Sequence, residues 1–259
     1  MAHAMTRVVK RFVGRERCRE KIGANRDRTH AVDQSLITVD HPFLRKLITE
    51  GGFHFDGRFW PFTPQVTRFD RLALYAERIV SAGYTRGLEI GTFIGLSTVF
   101  LAEALARNNG TLDTIDIRLQ DQRWGEKDRI NNAYLVAEMF VREAELSNVT
   151  FLRGRSQDVL PNRPKRYDFA HVDGDHNYHG VVLNFILVAS MLDVGGLVVL
   201  DDVGKKIATR GDTDGGPNRL LPHIFASGRY RIEVISSNQA LCTKLREVGS
   251  SLDPVVGSA

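Results

Sequence analysis

The chain has 259 residues, of which 42% are hydrophobic and 25% charged, so it is long and apolar enough to bury a sizeable core. This composition excludes global disorder, and the two cysteines, Cys18 and Cys242, are too few and too far apart for a disulfide framework. The net charge of +4 is only mildly basic, so composition gives no strong reason to expect a nucleic-acid partner.

The first part of the chain differs from the rest. Much of the basic excess lies in the first thirty residues. A solvated or partner-packed arm is the favoured interpretation, with attraction to nucleic acid or membrane as the alternative. Residues 1–5, M-A-H-A-M, are interpreted as a cloning remnant before a native start at Met5. Residues 1–60 look irregular, and residues 1–62 are predicted to be an extension that serves as a lid or a dimer contact.

The sequence also bears on location. No apolar run approaches the length of a membrane span, and the N-terminus lacks the apolar stretch of a signal peptide. Two isolated thiols suit a reducing compartment. We therefore expect a cytoplasmic protein with no membrane span and no nucleic-acid partner, and the N-terminal arm adds the expectation of a homodimer.

From residue 63 onward, helical and strand patterns alternate. The predicted elements are a helix ending at Gly83, a strand over 87–91, a helix over 97–107, a strand over 112–117, a helix from about 124 to 146, a strand over 149–152, a short helix over 156–160, a strand over 167–172, a helix over 178–192, a strand over 197–200, a helix over 220–226 and a hairpin over 230–245. This alternation favours an α/β fold with a mostly parallel sheet covered on both faces. The main domain is predicted to cover residues 63–248, followed by a flexible tail over 249–259.

The loop after the first strand of this domain, E-I-G-T-F-I-G, carries Glu89, Gly91 and Gly95. Ligands of open parallel sheets bind at the carboxyl ends of the strands. Gly91 allows a tight turn there, and Gly95 is expected to let the next helix start close to a ligand. A glutamate pointing into the pocket repels a pyrophosphate and suits a ligand that carries an ammonium or sulfonium group. Asp116, at the end of the second strand, can accept both hydroxyls of a ribose.

These residues resemble a known family. L-E-I-G-T-F-I-G is similar to the first motif of class I S-adenosylmethionine (SAM)-dependent methyltransferases, with Asp116 at their ribose-binding acid. G-R-S-Q-D-V-L-P over 154–161 is similar to a stretch of the catechol-type, metal-dependent O-methyltransferases, where the serine and glutamine lie against the adenine. The resemblance implies a Rossmann-like fold with a seven-stranded sheet and a C-terminal antiparallel hairpin. The SAM-binding residues that it implies are Glu89, Gly91, Thr92, Gly95, Ser97, Asp116, Ser156, Gln157 and Asp173.

Two details of the serine motif follow from the residues alone. Ser156 is a good N-cap for the predicted short helix, and Asp158 would lie in the first turn of that helix. This structural interpretation is compatible with contact between Ser156 and an adenine.

Three carboxylates follow two further predicted strands: Asp173 after the fourth, and Asp201 and Asp202 after the fifth. If those strands are neighbours, the carboxylates converge, and like charges at such a place need a cation, a proton or a ligand between them. The catechol-type family places a metal here, so the resemblance implies Asp173, Asp201 and Asp202 as ligands of Mg²⁺, with Mn²⁺ or Ca²⁺ as alternatives. That family usually has Asn at the position of Asp202, which is a departure.

His176 stands three residues after Asp173. The catechol-type enzymes have a lysine base at this offset, and a subgroup similar to the methyltransferases of macrolide sugars shows D-x-x-H. The resemblance therefore implies His176 as general base, beside Asp173 as the second catalytic residue. His171 could face the same site, although the preferred interpretation is a histidine in the core or just behind the residues that contact the ligand, and Asp175 is expected to point away.

Together these features predict Mg²⁺-dependent transfer of a methyl group from SAM to a hydroxyl of a sugar or glycoside. The chain resembles actinobacterial sugar O-methyltransferases, which suggests polysaccharide biosynthesis and a small-molecule or oligosaccharide acceptor. The polar stretch over 204–217 suits such an acceptor. The alternatives are a small-phenol, catechol-like O-methyltransferase, a non-catalytic nucleoside- or metal-binding protein, and an NAD-dependent oxidoreductase.

Overall fold

The computed structural model describes residues 41–62, 69–117, 133–203, 216–235 and 238–247. The helices and strands of these residues are α1 (Pro42–Glu50), β1 (Gly52–Phe55), β2 (Arg58–Pro61), α2 (Phe69–Ala82), β3 (Arg86–Ile90), α3 (Leu96–Arg107), β4 (Thr111–Asp116), α4 (Ala133–Glu143), β5 (Val149–Arg153), α5 (Ser156–Val159), a 3₁₀ turn (Leu160–Asn162), β6 (Tyr167–Val172), α6 (Tyr178–Met191), β7 (Leu192–Leu200), α7 (Gly216–Ala226), β8 (Tyr230–Val234) and β9 (Ala240–Lys244).

A seven-stranded sheet runs through the described part of the chain in the order β5-β4-β3-β6-β7-β9-β8. The first five strands of this order pair in parallel, whereas β9 pairs antiparallel with both β7 and β8. The strand order reverses between β3 and β6, which is the switch point where ligand crevices open in such sheets. The predicted Rossmann-like fold with an antiparallel C-terminal hairpin is confirmed.

Two apolar clusters cover the two faces of the sheet. One face packs against α2, α3 and α4 through residues such as Tyr75, Phe100 and Phe140. The other packs against α6 and α7 through residues such as Phe185 and Ile224. Side chains alternate between the faces along each strand, so each strand contributes to both clusters.

Residues 42–61 correct the prediction of an irregular segment. They form α1 and the β1–β2 hairpin, and Leu44, Leu47 and Phe53 are buried in the same cluster as α2, α3 and α4. The rings of Phe53 and Phe140 meet edge to face with centroids 5.0 Å apart. The helix has only nine residues, too short for its periodicity to stand out in the sequence, and Pro42 takes the first-turn position that favours proline.

Several predicted segments lie wholly or partly outside the described residues: the basic arm, the beginning of the helix expected from about 124, the polar stretch over 204–217 and the C-terminal tail. The described part of the helix from about 124 is α4, which begins at Ala133. None of the described helices has the length and apolar character needed to cross a membrane.

Candidate functional site

A cavity of about 1020 Å³ opens at the carboxyl ends of the parallel strands. Its lining includes the ends of β3, β4 and β6, the loops that follow them, the residues after β7, and parts of α2 and α6. This is the place where ligands bind to open parallel sheets. The volume is at the upper end of the range for small-molecule sites, so it suits a nucleoside-sized cofactor together with a second small molecule.

Two glycines, Gly91 and Gly95, shape the loop after β3. Gly91 has φ +105°, and a Cβ there would collide with the backbone carbonyl of Asp173, so it permits the close approach of the loops that follow β3 and β6. Gly95 has φ +79°, and a Cβ there would lie 2.7 Å from the Cβ of Ala137 in α4. Gly95 is the N-cap of α3, whose first residues Leu96 and Ser97 line the cavity, so the helix does start beside the proposed ligand site. The space that Gly95 leaves free is used by α4.

Glu89 lies beneath the cavity and does not line it. Its side chain is fully buried, and its Oε1 accepts a hydrogen bond of 2.5 Å from Ser97 Oγ. Its Oε2 accepts bonds of 2.5 Å from Thr98 Oγ1 and 2.7 Å from Thr114 Oγ1. The expectation that this carboxylate points into the pocket is wrong, since three hydroxyls surround it. Its structural role is to fix Ser97, which does line the cavity.

Asp116 lies at the end of β4 and lines the cavity, as the ribose-binding prediction requires. Its Oδ2 accepts a 2.9 Å hydrogen bond from the backbone N–H of Phe93, which has φ +50°. Thr92, another predicted cofactor residue, lines the cavity and pairs its hydroxyl with that of Thr114 at 2.6 Å. These bonds tie the ends of β3 and β4 together around the place where a ribose would bind.

Ser156 and Gln157 also line the cavity, but the capping prediction for Ser156 is wrong. Arg155 is the N-cap of α5 and makes no side-chain cap bond, whereas Ser156 is the first helical residue. The hydroxyl of Ser156 donates to Oδ1 of Asn184 at 2.5 Å. Asn184 is a buried residue of α6 that sequence reasoning missed, although an amide inside the apolar run V-V-L-N-F-I-L-V was the available signal.

The strand-end carboxylates converge on the cavity. Two sets of side chains each bring their metal-binding atoms within 4.8 Å of one another. One set is His171, Asp173 and Asp201, and the other is Asp173, His176 and Asp202. Burial and the neighbouring Asp201 carboxylate raise the pKa of Asp173 to about 7. Burial also raises the pKa of Asp201. The predicted trio of carboxylates is thus divided, because Asp201 and Asp202 each join Asp173 in a different set.

Asp202 faces His176 because its backbone is left-handed, with φ +60°. One carboxylate oxygen lies 2.8 Å from Nδ1 of His176, and the other accepts a 2.9 Å bond from Nδ2 of Asn238. Both oxygens of Asp202 therefore contact protein groups, and these contacts orient the ring of His176. Asp202 also belongs to the donor set of Asp173 and His176, so its role as a metal ligand stays a prediction.

A turn just before β9 supports this arrangement. Asn238 holds Asp202, and Nε2 of Gln239 donates to Oδ1 of Asp201 at 2.5 Å. Both line the cavity, and sequence reasoning missed both. They reach the site because β9 inserts beside β7 rather than following β8 at the edge.

His171 is buried and also lines the cavity, which agrees with the expectation of a histidine in the core or just behind the residues that contact the ligand. Its Nδ1 lies 3.6 Å from Oε1 of Glu89, and its ring centroid lies 5.6 Å from that of Tyr75. Asp175 belongs to neither donor set, but it lines the cavity, so the expectation that it points away from the site is wrong. Its Oδ1 accepts a 2.9 Å bond from the backbone N–H of Asn177 at the start of α6.

The donor chemistry fits a divalent cation near Asp173 and Asp201. Two carboxylates with raised pKa values at one buried place are stabilised by a positive charge between them. Carboxylate oxygens with water suit Mg²⁺, and the nearby imidazole of His171 widens the choice to metals that accept nitrogen, such as Mn²⁺.

Comparisons with known proteins agree with this geometry. Residues 88–203 match a family model described as a methyltransferase domain. O-methyltransferase hkm8 of Aspergillus hancockii is 25% identical over 119 residues, which are 45% of this chain and 42% of that protein. The chain thus spans less than half the length of this curated relative.

Solved structures show the same fold. The O-methyltransferase TomG of Streptomyces achromogenes, involved in tomaymycin synthesis and solved in complex with SAM, matches with a TM-score of 0.56 and 23% identity over 82% of this chain and 93% of that one. An O-methyltransferase of Bacillus cereus in complex with SAH matches with a TM-score of 0.58 and 18% identity over 86% of this chain and 100% of that one. The predicted resemblance to class I O-methyltransferases is confirmed.

Proposed function

We propose that this chain, in which residues 88–203 form a methyltransferase domain, transfers a methyl group from SAM to a hydroxyl group of a small-molecule acceptor. The proposed acceptor is a sugar or glycoside, a divalent cation assists, with Mg²⁺ the first candidate, and His176 is the general base.

The observation that carries this proposal is the pairing of His176 with Asp202 at the wall of the cavity. The two atoms that meet, Nδ1 of His176 and Oδ2 of Asp202, are 2.8 Å apart. A neutral imidazole that donates Nδ1–H to a carboxylate presents Nε2 as its basic nitrogen. An acid–imidazole pair beside further carboxylates is the arrangement expected of a base that removes a proton from a hydroxyl.

The proposed reaction moves one proton to His176 and one methyl group to the acceptor oxygen. Nε2 of His176 takes the proton of the acceptor hydroxyl while the acceptor oxygen forms a bond to the methyl carbon. SAM supplies that methyl group from its sulfonium, and sulfur keeps the electron pair of the broken bond, which leaves S-adenosylhomocysteine (SAH). The positive charge passes from sulfur to the imidazole, where Asp202 stabilises it.

The other residues would position the reactants. Asp116 would accept the ribose hydroxyls, and Ser156 and Gln157 would lie against the adenine, as their places in the cavity allow. Asp173 and Asp201 would hold the cation, which when bound stabilises negative charge that develops on the acceptor oxygen.

The cavity lining supports a hydroxyl-rich acceptor. Among the described residues that line it, the phenyl and phenol rings are those of Phe93 and Tyr75, and most of the others carry polar or small side chains. A small phenol is the second candidate, and the relatives do not decide between the two, since the names of TomG and hkm8 point to neither a sugar nor a phenol.

A labelled-methyl assay tests the proposal. The protein is incubated with SAM that carries an isotopic methyl group and with matched panels of glycosides and phenols, with Mg²⁺ or with a chelator. We expect label in a hydroxylated acceptor only when a divalent cation is present. Absence of transfer to any acceptor, or calorimetric binding of NAD in place of SAH, would refute the methyltransferase proposal. Full activity in chelator would refute the cation, and transfer to phenols alone would replace the sugar with the second candidate.

A further inference from the structure

Arg71 is a buried cation in the wall of the cavity. It lies in the first turn of α2, and only 6% of its surface is exposed although it lines the cavity. Its Nε and Nη2 atoms are buried and have no hydrogen-bond partner among the described residues. A buried guanidinium without a counter-charge is costly unless a bound group completes it.

The nearby acids do not neutralise this charge. Three carboxylates of the site have other partners: Glu89 with three hydroxyls, Asp201 with Gln239, and Asp202 with His176 and Asn238. Asp173 shares its two donor sets with His171, Asp201, His176 and Asp202. No ion pair of Arg71 occurs within the described ranges. The cavity therefore carries a fixed positive charge on its α2 side, opposite in sign to the cluster of strand-end carboxylates.

The location of Arg71 relates it to the reacting groups. Tyr75 lies one helical turn further along α2 and also lines the cavity. The ring of Tyr75 contacts that of His171, which belongs to the donor set of Asp173 and Asp201. Arg71 thus lies on the side of the cavity next to the proposed cation site, away from the Ser156 and Gln157 end where the adenine is placed.

We propose that Arg71 forms an anion-binding subsite that receives a carboxylate or phosphate group of a molecule bound in the cavity. A guanidinium has a planar fork of donors that matches such groups with two parallel hydrogen bonds. The two unpartnered nitrogen atoms, Nε and Nη2, make up one edge of that fork.

Two molecules can supply the anion, and the subsite rests on the proposed function in both cases. One is SAM itself, through the carboxylate of its methionine part. The other is the acceptor, which would then be an acidic or phosphorylated sugar rather than a neutral one. The chemistry recognised by Arg71 is the same, so binding experiments with matched ligands separate the sources.

The first arm compares SAH with 5′-methylthioadenosine, which has the same nucleoside thioether but no carboxylate. Calorimetry is done on the wild-type protein and on Arg71→Met. If the cofactor supplies the anion, Arg71→Met lowers the affinity for SAH about 10- to 100-fold and leaves the affinity for 5′-methylthioadenosine unchanged.

The second arm uses the SAH-loaded protein and compares glucuronate and glucose 6-phosphate with glucose. If the acceptor supplies the anion, Arg71→Met removes the preference for the anionic sugars and leaves SAH affinity unchanged. Arg78→Met is the matched control, because Arg78 lies on the same helix with its side chain 45% exposed and pairs with Glu233. It should behave like the wild type in both arms.

Arg71→Lys extends the test if Arg71→Met does not fold, because it keeps the charge and loses the fork. Arg71→Lys should lower the affinity for the anionic ligands of one arm, either SAH or the anionic sugars, about 10-fold. The affinity for the matched ligand that lacks the anion should stay unchanged. Equal affinities of wild type and folded variant for every ligand in both arms would overturn the subsite. Because both arms measure binding, absence of methyl transfer would refute the proposed function without deciding the subsite.

Discussion

The imidazole of His171 lies beside the buried carboxylate of Glu89 on the neighbouring strand, with Nδ1 3.6 Å from Oε1. Burial is the largest single effect and lowers the pKa of His171, but Glu89, Asp173 and Asp201 together outweigh it, so the pKa is raised. His171 in turn joins Asp173 and Asp201 in one donor set. A buried acid, Glu89, is therefore connected through the imidazole of His171 to the two acids of the cavity, Asp173 and Asp201.

Glu89→Gln should lower the free energy of unfolding by about 1–3 kcal/mol. The carboxylate accepts hydrogen bonds from three hydroxyls, and an amide would replace one acceptor oxygen with a donor that faces those hydroxyls. Urea unfolding measures the change. Glu103→Gln is the control, because it removes only an i,i+4 ion pair with Arg107 and should cost less than about 0.5 kcal/mol. Equal losses in the two variants would contradict a special role for the buried carboxylate.

His176→Ala should reduce methyl transfer roughly 10²–10⁴-fold while SAH affinity stays within about twofold. The imidazole is the proposed proton acceptor and has no assigned contact with the cofactor. His179→Ala provides the comparison, since His179 is exposed on the first turn of α6 and should retain wild-type turnover. Single-turnover kinetics and calorimetry measure the two effects, and unchanged turnover in His176→Ala would remove it as the base.

Asp202→Asn separates two roles for this residue. If Asp202 orients His176, the amide presents a donor to Nδ1, the wrong tautomer is favoured, and turnover falls roughly 10²–10⁴-fold with cation affinity unchanged. The matching variant Asp201→Asn should instead lower the affinity of the protein for the cation. Titration of Mn²⁺ by electron paramagnetic resonance gives the affinity, and a loss of Mn²⁺ binding in Asp202→Asn would show that Asp202 is a cation ligand, as the sequence predicts.

The raised pKa of Asp173 predicts a pH dependence of stability in the cation-free protein. An aspartate ordinarily titrates near 3.8, whereas burial and Asp201 hold this one at about 7 in the folded state. The folded state therefore binds the proton more tightly, so stability falls as pH rises from about 4 to about 7 and then levels off.

Unfolding of the protein in chelator, measured from pH 4 to pH 8, tests this dependence. At pH 8 Asp173→Asn should be more stable than the wild type by on the order of 4 kcal/mol, because it never carries the charge that the folded state disfavours. At pH 4 the two proteins should differ little. A wild-type stability that rises with pH relative to Asp173→Asn would contradict the assignment.

Asn184→Leu should lower the affinity for SAH about 10-fold or more. The substitution removes the amide oxygen that accepts a hydrogen bond from the buried hydroxyl of Ser156, at the predicted adenine end of the cavity. Calorimetry measures the affinity. Ser190→Ala serves as the control on the same helix, since its hydroxyl bonds only a backbone carbonyl near the end of α6 and faces solvent. Unaltered SAH affinity in Asn184→Leu would separate the Ser156–Asn184 pair from cofactor binding.

The sequence predicted most of the sheet and the position of the site, because both follow from local patterns. Strand and helix periods gave the alternation, and Asp116, Asp173 and Asp201 stand at strand ends that the sheet brings to one edge. Such residues need no tertiary information beyond the rule that ligands bind where parallel strands end.

The errors came from tertiary packing. Glu89 precedes the glycine loop, but strand alternation turns its side chain towards the hydroxyls of α3 and β4. Asp202 contacts His176, whereas Asp201 lies with His171 and Asp173, and this difference depends on the positive φ of Asp202. Arg71 could not be identified as a buried cation from an amphipathic helix, because an arginine there normally lies on the solvent face.

The insertion of β9 between β7 and β8 has a consequence for the order in which the protein becomes active during synthesis. The ribosome makes Asp173, His176, Asp201 and Asp202 well before Asn238 and Gln239, yet those two amides fix the later pair of acids. A nascent chain that already contains every proposed catalytic group thus still lacks the contacts that aim them. The site is fully ordered for catalysis only when β9, which begins at Ala240, pairs with β7.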